Sequence, residues 1–167
     1  MIKATINLEN GKKINLNLDE ECAPISTANF VKLAKANHYN GLIFHRIIPN
    51  FMCQGGGMTV DMQQKDNLTP IKGEFLSNGV KNMRKHKAGT ISMARTMFKD
   101  SATSQFFICS VDTPFLDGEY AAFGEVADKD SMQVVLDMSV VKTHSVGYFD
   151  DVPVEPIIIK NVEIVEE

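Results

Sequence analysis

Between residues 44 and 56 the chain reads Phe-His-Arg-Ile-Ile-Pro-Asn-Phe-Met-Cys-Gln-Gly-Gly. One cation, Arg46, stands a few residues before an apolar pair, Phe51 and Met52, and an amide, Gln54. A second segment, Ser104-Gln105-Phe106-Phe107-Ile108, repeats the pairing of amide and aromatic. Together these residues suggest an apolar pocket with one fixed guanidinium and no nucleophile. Such a site suits a reaction in which no covalent bond is broken.

The spacing explains how they could meet. On a strand, residues two apart share a face, so Met52 lies beside Gln54 and Gln105 beside Phe107. A Pro49-Asn50 turn would fold Phe51 and Met52 back beside Arg46. The simplest assembly is one sheet face carrying Arg46, Phe51, Met52, Gln54, Gln105 and Phe107. Gln54 could then hydrogen-bond the guanidinium and hold its rotamer. The bland alternative stays open on spacing alone: Phe and Met in strands are usually core, and a lone Arg is usually a surface charge.

Other chemistries find less support. Gly55-Gly56-Gly57 is followed by no Lys-Ser or Lys-Thr, so a turn or bulge explains it better than phosphate binding. His38, His45, His86 and His144 lack metal-ligand spacing, and no metal or other cofactor is expected. Cys22, Cys53 and Cys109 are odd in number and form no C-x-x-C pair, which argues against a disulfide framework. Cys53 and Cys109 sit in apolar runs and read as buried thiols. No serine occupies a G-x-S-x-G elbow, and no carboxylate pair stands out as acid and base. Asn67-Leu68-Thr69 fits a glycosylation pattern, discounted because Pro70 follows.

The elements that must position these groups read as short strands with two helices. Ile2, Ala4, Ile6 and Leu8, then Ile14, Leu16 and Leu18, alternate with polar residues around Asn10-Gly11, which predicts a hairpin with a type I′ turn. Pro24 suits the first turn of a helix running to about Asn37. Strands are predicted over Leu42–Ile48, Met52–Gln54, Thr90–Ala94, Phe106–Ser110, Ala121–Val126 and Ile157–Val165, and a second helix over Ser131–Ser139. Residues 58–87 read as long surface loops. The pattern points to a mainly antiparallel sheet, curved or closed into a barrel.

Composition sets the outer bounds. A chain of 167 residues with 44% hydrophobic and 23% charged residues suits one soluble domain over residues 1–167. The net charge of −4 argues against nucleic acid as a partner. Lys81, Arg84, Lys85 and Lys87 could form a local basic patch, but a solvated loop explains them as well. No apolar run approaches a membrane span, and no secretory signal is visible, so a reduced, cytoplasmic setting is expected.

At this point the chain resembles a known family. Phe44-His45-Arg46, Phe51-Met52 and Gln54-Gly55-Gly56 look like the signature of cyclophilins, the peptidyl-prolyl cis–trans isomerases. The likeness continues through Gly89–Ala94, Ser104–Ile108, Phe115-Leu116-Asp117-Gly118 and Phe123-Gly124-Glu125-Val126. Met93–Thr96 and Asp100–Gln105 resemble the small single-domain bacterial type most. The resemblance implies a mainly β fold, an eight-stranded antiparallel closed barrel capped by two α-helices.

It also implies roles for named residues. Arg46 takes the position of the catalytic arginine, and Phe51, Met52, Phe107 and Leu116 match the proline pocket. Gln54 and Gln105 match its polar rim, and Ala94 and Arg95 match the segment whose backbone pairs with the peptide. Two substrate-site positions depart from the best-known eukaryotic members: Phe115 stands where they often carry tryptophan, and Tyr120 where they carry histidine. Loss of the indole N–H predicts weak cyclosporin binding. The implied partners are proline-containing peptides and folding or unfolded chains, met by a monomer. Two rivals remain, a module that binds proline segments without turnover and a small-ligand carrier barrel, the latter disfavoured by large apolar residues along the strands.

Overall fold

A computed structural model describes residues 2–65 and 68–166; Asn67, the discounted glycosylation position, lies outside them. In chain order the elements are β1 (Ile2–Leu8), β2 (Lys13–Leu18), α1 (Pro24–Lys35), β3 (Leu42–Ile43), β4 (Arg46–Ile48), β5 (Met52–Gly55) and β6 (Met58–Thr59). They continue with β7 (Thr90–Met93), β8 (Phe106–Cys109), β9 (Ala122–Val126), α2 (Lys129–Met138), β10 (Thr143–Val146), β11 (Phe149–Pro153) and β12 (Ile159–Glu166). Eight strands form one curled antiparallel sheet in the order β12-β1-β2-β9-β7-β8-β5-β4. β3 pairs with β6, and β10 with β11.

The period-2 pattern is realised as predicted in the first hairpin. Ala4, Ile6 and Leu8 of β1 and Ile14, Leu16 and Leu18 of β2 all point into the core. Inside the sheet an aromatic cluster fills the space: Phe30 of α1 lies 5.2–5.6 Å, centroid to centroid, from Tyr39, Phe123 and Phe106. Phe44 packs edge-on to Phe106 at 5.8 Å. This cluster occupies the volume that a carrier barrel would keep hollow.

Helix α1 begins at Pro24, as expected, but its cap comes from far away. Ala23 offers no side-chain acceptor, and the Glu74 carboxylate accepts instead from Ile25 N–H at 3.1 Å and Ser26 N–H at 2.6 Å. A carboxylate at a helix N-terminus satisfies orphan donors and complements the helix dipole. α2 starts two residues before the predicted Ser131, because Asp128 caps it by accepting from Ser131 N–H at 2.7 Å.

Four expectations need correction. The first hairpin does not use a type I′ turn: only Gly11 has positive φ, Gly11 N–H donates to Leu8 O at 3.1 Å, and Leu8 N–H donates to Lys12 O at 2.9 Å. That is a type I turn followed by a glycine bulge, in which only the residue after the turn needs positive φ. The strand predicted over Leu42–Ile48 is two strands. Phe44 and His45 are both buried, which a continuous strand with one solvent face does not allow, and Phe44 N–H turns away to Ile157 O at 3.0 Å.

The barrel is also not closed by a continuous ladder. The sheet ends at β4 and β12, and among the described residues the segments beside those edges meet through the isolated bridge Ile43 to Ile158 and the Phe44 N–H to Ile157 O bond. Finally, the β10–β11 hairpin was not predicted. Its strands are largely exposed and show no clean alternation of apolar and polar residues. Of the basic residues at 81–87, Lys81, Lys85 and Lys87 are exposed, whereas Arg84 is partly buried and pairs with Asp19 at 2.7 Å, with Glu125 at 3.9 Å from the same guanidinium.

Candidate active site

The sheet register brings the predicted residues together. Arg46 in β4 stands opposite Gln54 in β5, and Gln54 stands opposite Phe107 in β8. One row across three strands therefore carries a guanidinium, an amide and a ring. Arg46 Nη1 donates to Gln54 Oε1 at 3.2 Å, and Gln54 Nε2 donates to Gln105 Oε1 at 2.9 Å. The two amides form a short chain that orients an otherwise exposed arginine. The expected bond between Gln54 and Arg46 is present.

Beside this row lies a pocket of ≈ 120 Å³. Arg46, Phe51, Met52, Gln54 and Phe107 line its sheet side. Ala94, Arg95, Leu116 and Tyr120 line the other. Met52, Phe107, Cys109 and Leu116 form a small apolar cluster of their own, separate from the main core, with Phe51, Ala94 and Tyr120 packed against it. A larger groove of ≈ 1090 Å³ lies between the first hairpin turn and α2, but its charged lining holds no arginine.

Two predicted residues sit differently. Gln105 does not line the pocket, and its side chain reaches it through Gln54. Phe115 also lies outside the lining, 69% exposed, with its ring 5.6 Å from that of Phe51, so it extends the rim. Arg95 was expected to contribute backbone. Its side chain braces the wall as well, with the guanidinium 4.6 Å from the Tyr120 ring centroid and 4.8 Å from that of Phe75. Its Nε and Nη2 donate to Glu119 O at 3.1 and 2.7 Å. Ala94 N–H is committed to Gln105 O at 3.0 Å.

Two contributors went unnoticed in the sequence. His86 is buried and stacks against Phe107, centroids 5.9 Å apart and planes 17° from parallel. Its Nδ1 lies 3.1 Å from Asp117 Oδ1 and its Nε2 lies 2.9 Å from Ser92 Oγ. A carboxylate only accepts, so the neutral ring places its proton on Nδ1, and Nε2 accepts from Ser92. Burial lowers the His86 pKa, and the Asp117 contact offsets this only in part, so the ring stays neutral. Gly57 is the other: a Cβ there would sit 2.3 Å from Gln105 Cγ, so only glycine lets that amide reach Gln54. Glycine in a strand-end triplet was the available signal, whereas the distance from His86 to Phe107 along the chain hid the stack.

The remaining groups offer no covalent chemistry. Burial pushes the Cys53 thiol up to about 12, with Cys109 adding to the shift. Burial pushes Cys109 itself up to about 11. Cys22 is likewise raised to about 11, by burial and then by Asp19. All three stay protonated at neutral pH and make poor nucleophiles. His45, next to Arg46, is held down to about 4, first by burial and then by that cation.

Comparison with known proteins gives the family. Residues 3–164 match the family model "Cyclophilin type peptidyl-prolyl cis-trans isomerase/CLD". The chain is 48% identical over 159 residues to peptidyl-prolyl cis-trans isomerase A of Dickeya dadantii, covering 92% of this chain and 80% of that one. It is 41% identical to peptidyl-prolyl cis-trans isomerase B of Escherichia coli, covering 97% and 99%. Among solved structures, the cyclophilin AquaCyp293 of Hirschia baltica shares the fold, with a TM-score of 0.76 at 23% identity over 96% of this chain and 73% of that one. A cyclophilin type isomerase of Cryptosporidium parvum, whose crystal structure was determined in the presence of the dipeptide Ala-Pro, gives a TM-score of 0.75 at 24% identity over 99% of each chain. This chain belongs to the cyclophilin-type peptidyl-prolyl cis-trans isomerase family of enzymes.

Proposed function

We propose that this chain accelerates rotation about X–Pro peptide bonds in folding or unfolded chains, with Arg46 acting on the proline nitrogen. The observation that carries the proposal is the Arg46–Gln54–Gln105 chain, which holds the Arg46 guanidinium at the edge of a small pocket with an apolar floor.

The physical argument starts from the amide. Rotation must break resonance against a barrier of ~18–20 kcal/mol. As the C–N bond twists, the proline nitrogen pyramidalises and gains a lone pair. A guanidinium near that nitrogen donates to it more strongly in the twisted state than in the planar one, which is preferential binding of the transition state. The apolar pocket formed by Phe51, Met52, Phe107 and Leu116 would grip the pyrrolidine ring. Removing water there also raises the energy of the planar, charge-separated amide. Each ~1.4 kcal/mol gained is tenfold in rate. The reaction needs no nucleophile, in keeping with thiols that stay protonated.

The rival is a binding module that docks proline segments without turnover. An oriented arginine favours the enzyme, since mere binding needs only the pocket. The test is cis–trans exchange of a short Ala-Pro peptide, followed by NMR with the unmodified protein and with Arg46→Ala. Loss of one transition-state donor is expected to cost roughly 10²–10³-fold in kcat. A folded, unmodified protein that gave no acceleration would refute the proposal. Equal rates for the two proteins would refute the role of Arg46.

A further inference from the structure

Outside the pocket, the loop that follows Arg95 shows two large apolar side chains to water: Met97 is 86% exposed and Phe98 72% exposed. Water penalises such exposure, and contiguous exposed apolar surface marks interaction sites.

The loop is built to hold them there. Ser101 Oγ accepts from Thr96 N–H at 3.0 Å and donates to Phe98 O at 2.6 Å. Thr96 Oγ1 accepts from Phe98 N–H at 3.2 Å. Lys99 Nζ donates to Ser77 O at 2.7 Å, and the Asp100 carboxylate accepts from Gly73 N–H at 2.9 Å. A Cβ at Gly73 would lie 2.2 Å from Lys99 O, so glycine is what admits the loop so close. A surface ordered in advance loses less entropy when it is covered.

The loop is also continuous with the pocket. Arg95 lines the pocket, and its Nη1 donates to Thr96 O at 2.9 Å, where the loop begins. On the isomerase reading, a bound chain runs along the 94–95 segment, advancing about 3.3 Å per residue where it is extended. Met97 and Phe98 come two and three residues after Arg95.

We propose that Met97 and Phe98 form a second, apolar contact for the bound chain, so that the preferred substrates are unfolded polypeptides with large apolar side chains a few residues from the proline. Such chains expose apolar residues that a folded protein hides. The proposal rests on the isomerase reading given above.

The test uses NMR exchange on three substrates: a short Ala-Pro peptide and two longer ones, with Ala-Pro flanked by Phe and Leu or by Ser. The unmodified protein is expected to prefer the apolar-flanked peptide by roughly five- to twentyfold in kcat/KM, from partial burial of two side chains. The double variant Met97→Ser, Phe98→Ser is expected to lose that preference, with the short peptide as internal control and the melting temperature as a check on folding. A preference that survives the double variant, or is absent from the unmodified protein, overturns the proposal. So does an equal fall on all three substrates, since the loop would then act on the pocket itself. No exchange on any substrate by the unmodified protein would instead refute the isomerase reading.

Discussion

The imidazole of His86 lies flat against the ring of Phe107, 17° from parallel, and so forms the underside of the pocket floor. Tyr120 meets the same ring edge-on at 5.6 Å. Phe107 is thus held from two directions. Replacing His86 with Ala would open space beneath the ring and strip Ser92 and Asp117 of their partner. We predict a stability loss of about 2–4 kcal/mol by urea titration, together with a raised KM for Ala-Pro peptides. His86→Gln, which keeps a polar side chain of similar reach, should recover part of both. A His86→Ala protein with unchanged KM would show that the stack does not position Phe107.

Acid should unfold this protein through its buried histidines. Burial lowers the pKa of His38, with Lys65 adding to it, and burial lowers those of His45 and His86 as well. The unfolded chain takes up protons near pH 6.5, whereas the folded chain resists. Stability is therefore intact above that pH and falls as pH drops toward the folded values. For His45, at about 4 in the fold, the loss is on the order of 3 kcal/mol once both states are protonated. Urea midpoints measured from about pH 7 to about pH 4 should show it, and His45→Gln should flatten the profile. An identical profile for that variant would assign the loss elsewhere.

Gly57→Ala should damage catalysis more than stability. The new methyl would displace Gln105 and break its 2.9 Å bond with Gln54, freeing the amide that orients Arg46. We predict a fall in kcat of roughly tenfold or more with a stability change near 1 kcal/mol. Unchanged kcat in a folded variant would mean that the Gln54–Gln105 bond does not matter for turnover.

Cyclosporin should bind weakly, because Phe115 on the rim has no donor. Phe115→Trp would restore an indole N–H at an exposed position beside Phe51. One added hydrogen bond of about 1–1.5 kcal/mol corresponds to roughly tenfold in affinity. Calorimetric titration of both proteins checks this, and nanomolar binding by the unmodified chain would contradict it.

Much of this architecture was legible before any coordinates, for physical reasons. Period-2 alternation in Ile2–Leu8 and Ile14–Leu18 reports a sheet with one buried face, and spacing by two placed Met52 beside Gln54. Arg46 and Gln54 were near enough in sequence for a tight turn to join them. What stayed hidden depends on contacts between distant segments. Glu74 caps a helix that begins at Pro24, and nothing local to either residue reveals it. His86 meets Phe107 only because β7 and β8 pair in one register. The turn at Asn10-Gly11 shows a different limit: the dipeptide signals a hairpin, but one positive φ rather than two decides its type.

The seam of the sheet has a consequence for how the molecule is made. β1 gains its first neighbour, β2, within a short hairpin, but its other edge is covered only by β12, where Ile2 stands opposite Glu166. During synthesis that edge stays bare until β12 leaves the ribosome, and an unpaired strand is a template for aggregation. β12 therefore seals the exposed edge of β1. A chain that stops short of it carries an open edge that quality-control proteases and chaperones can recognise.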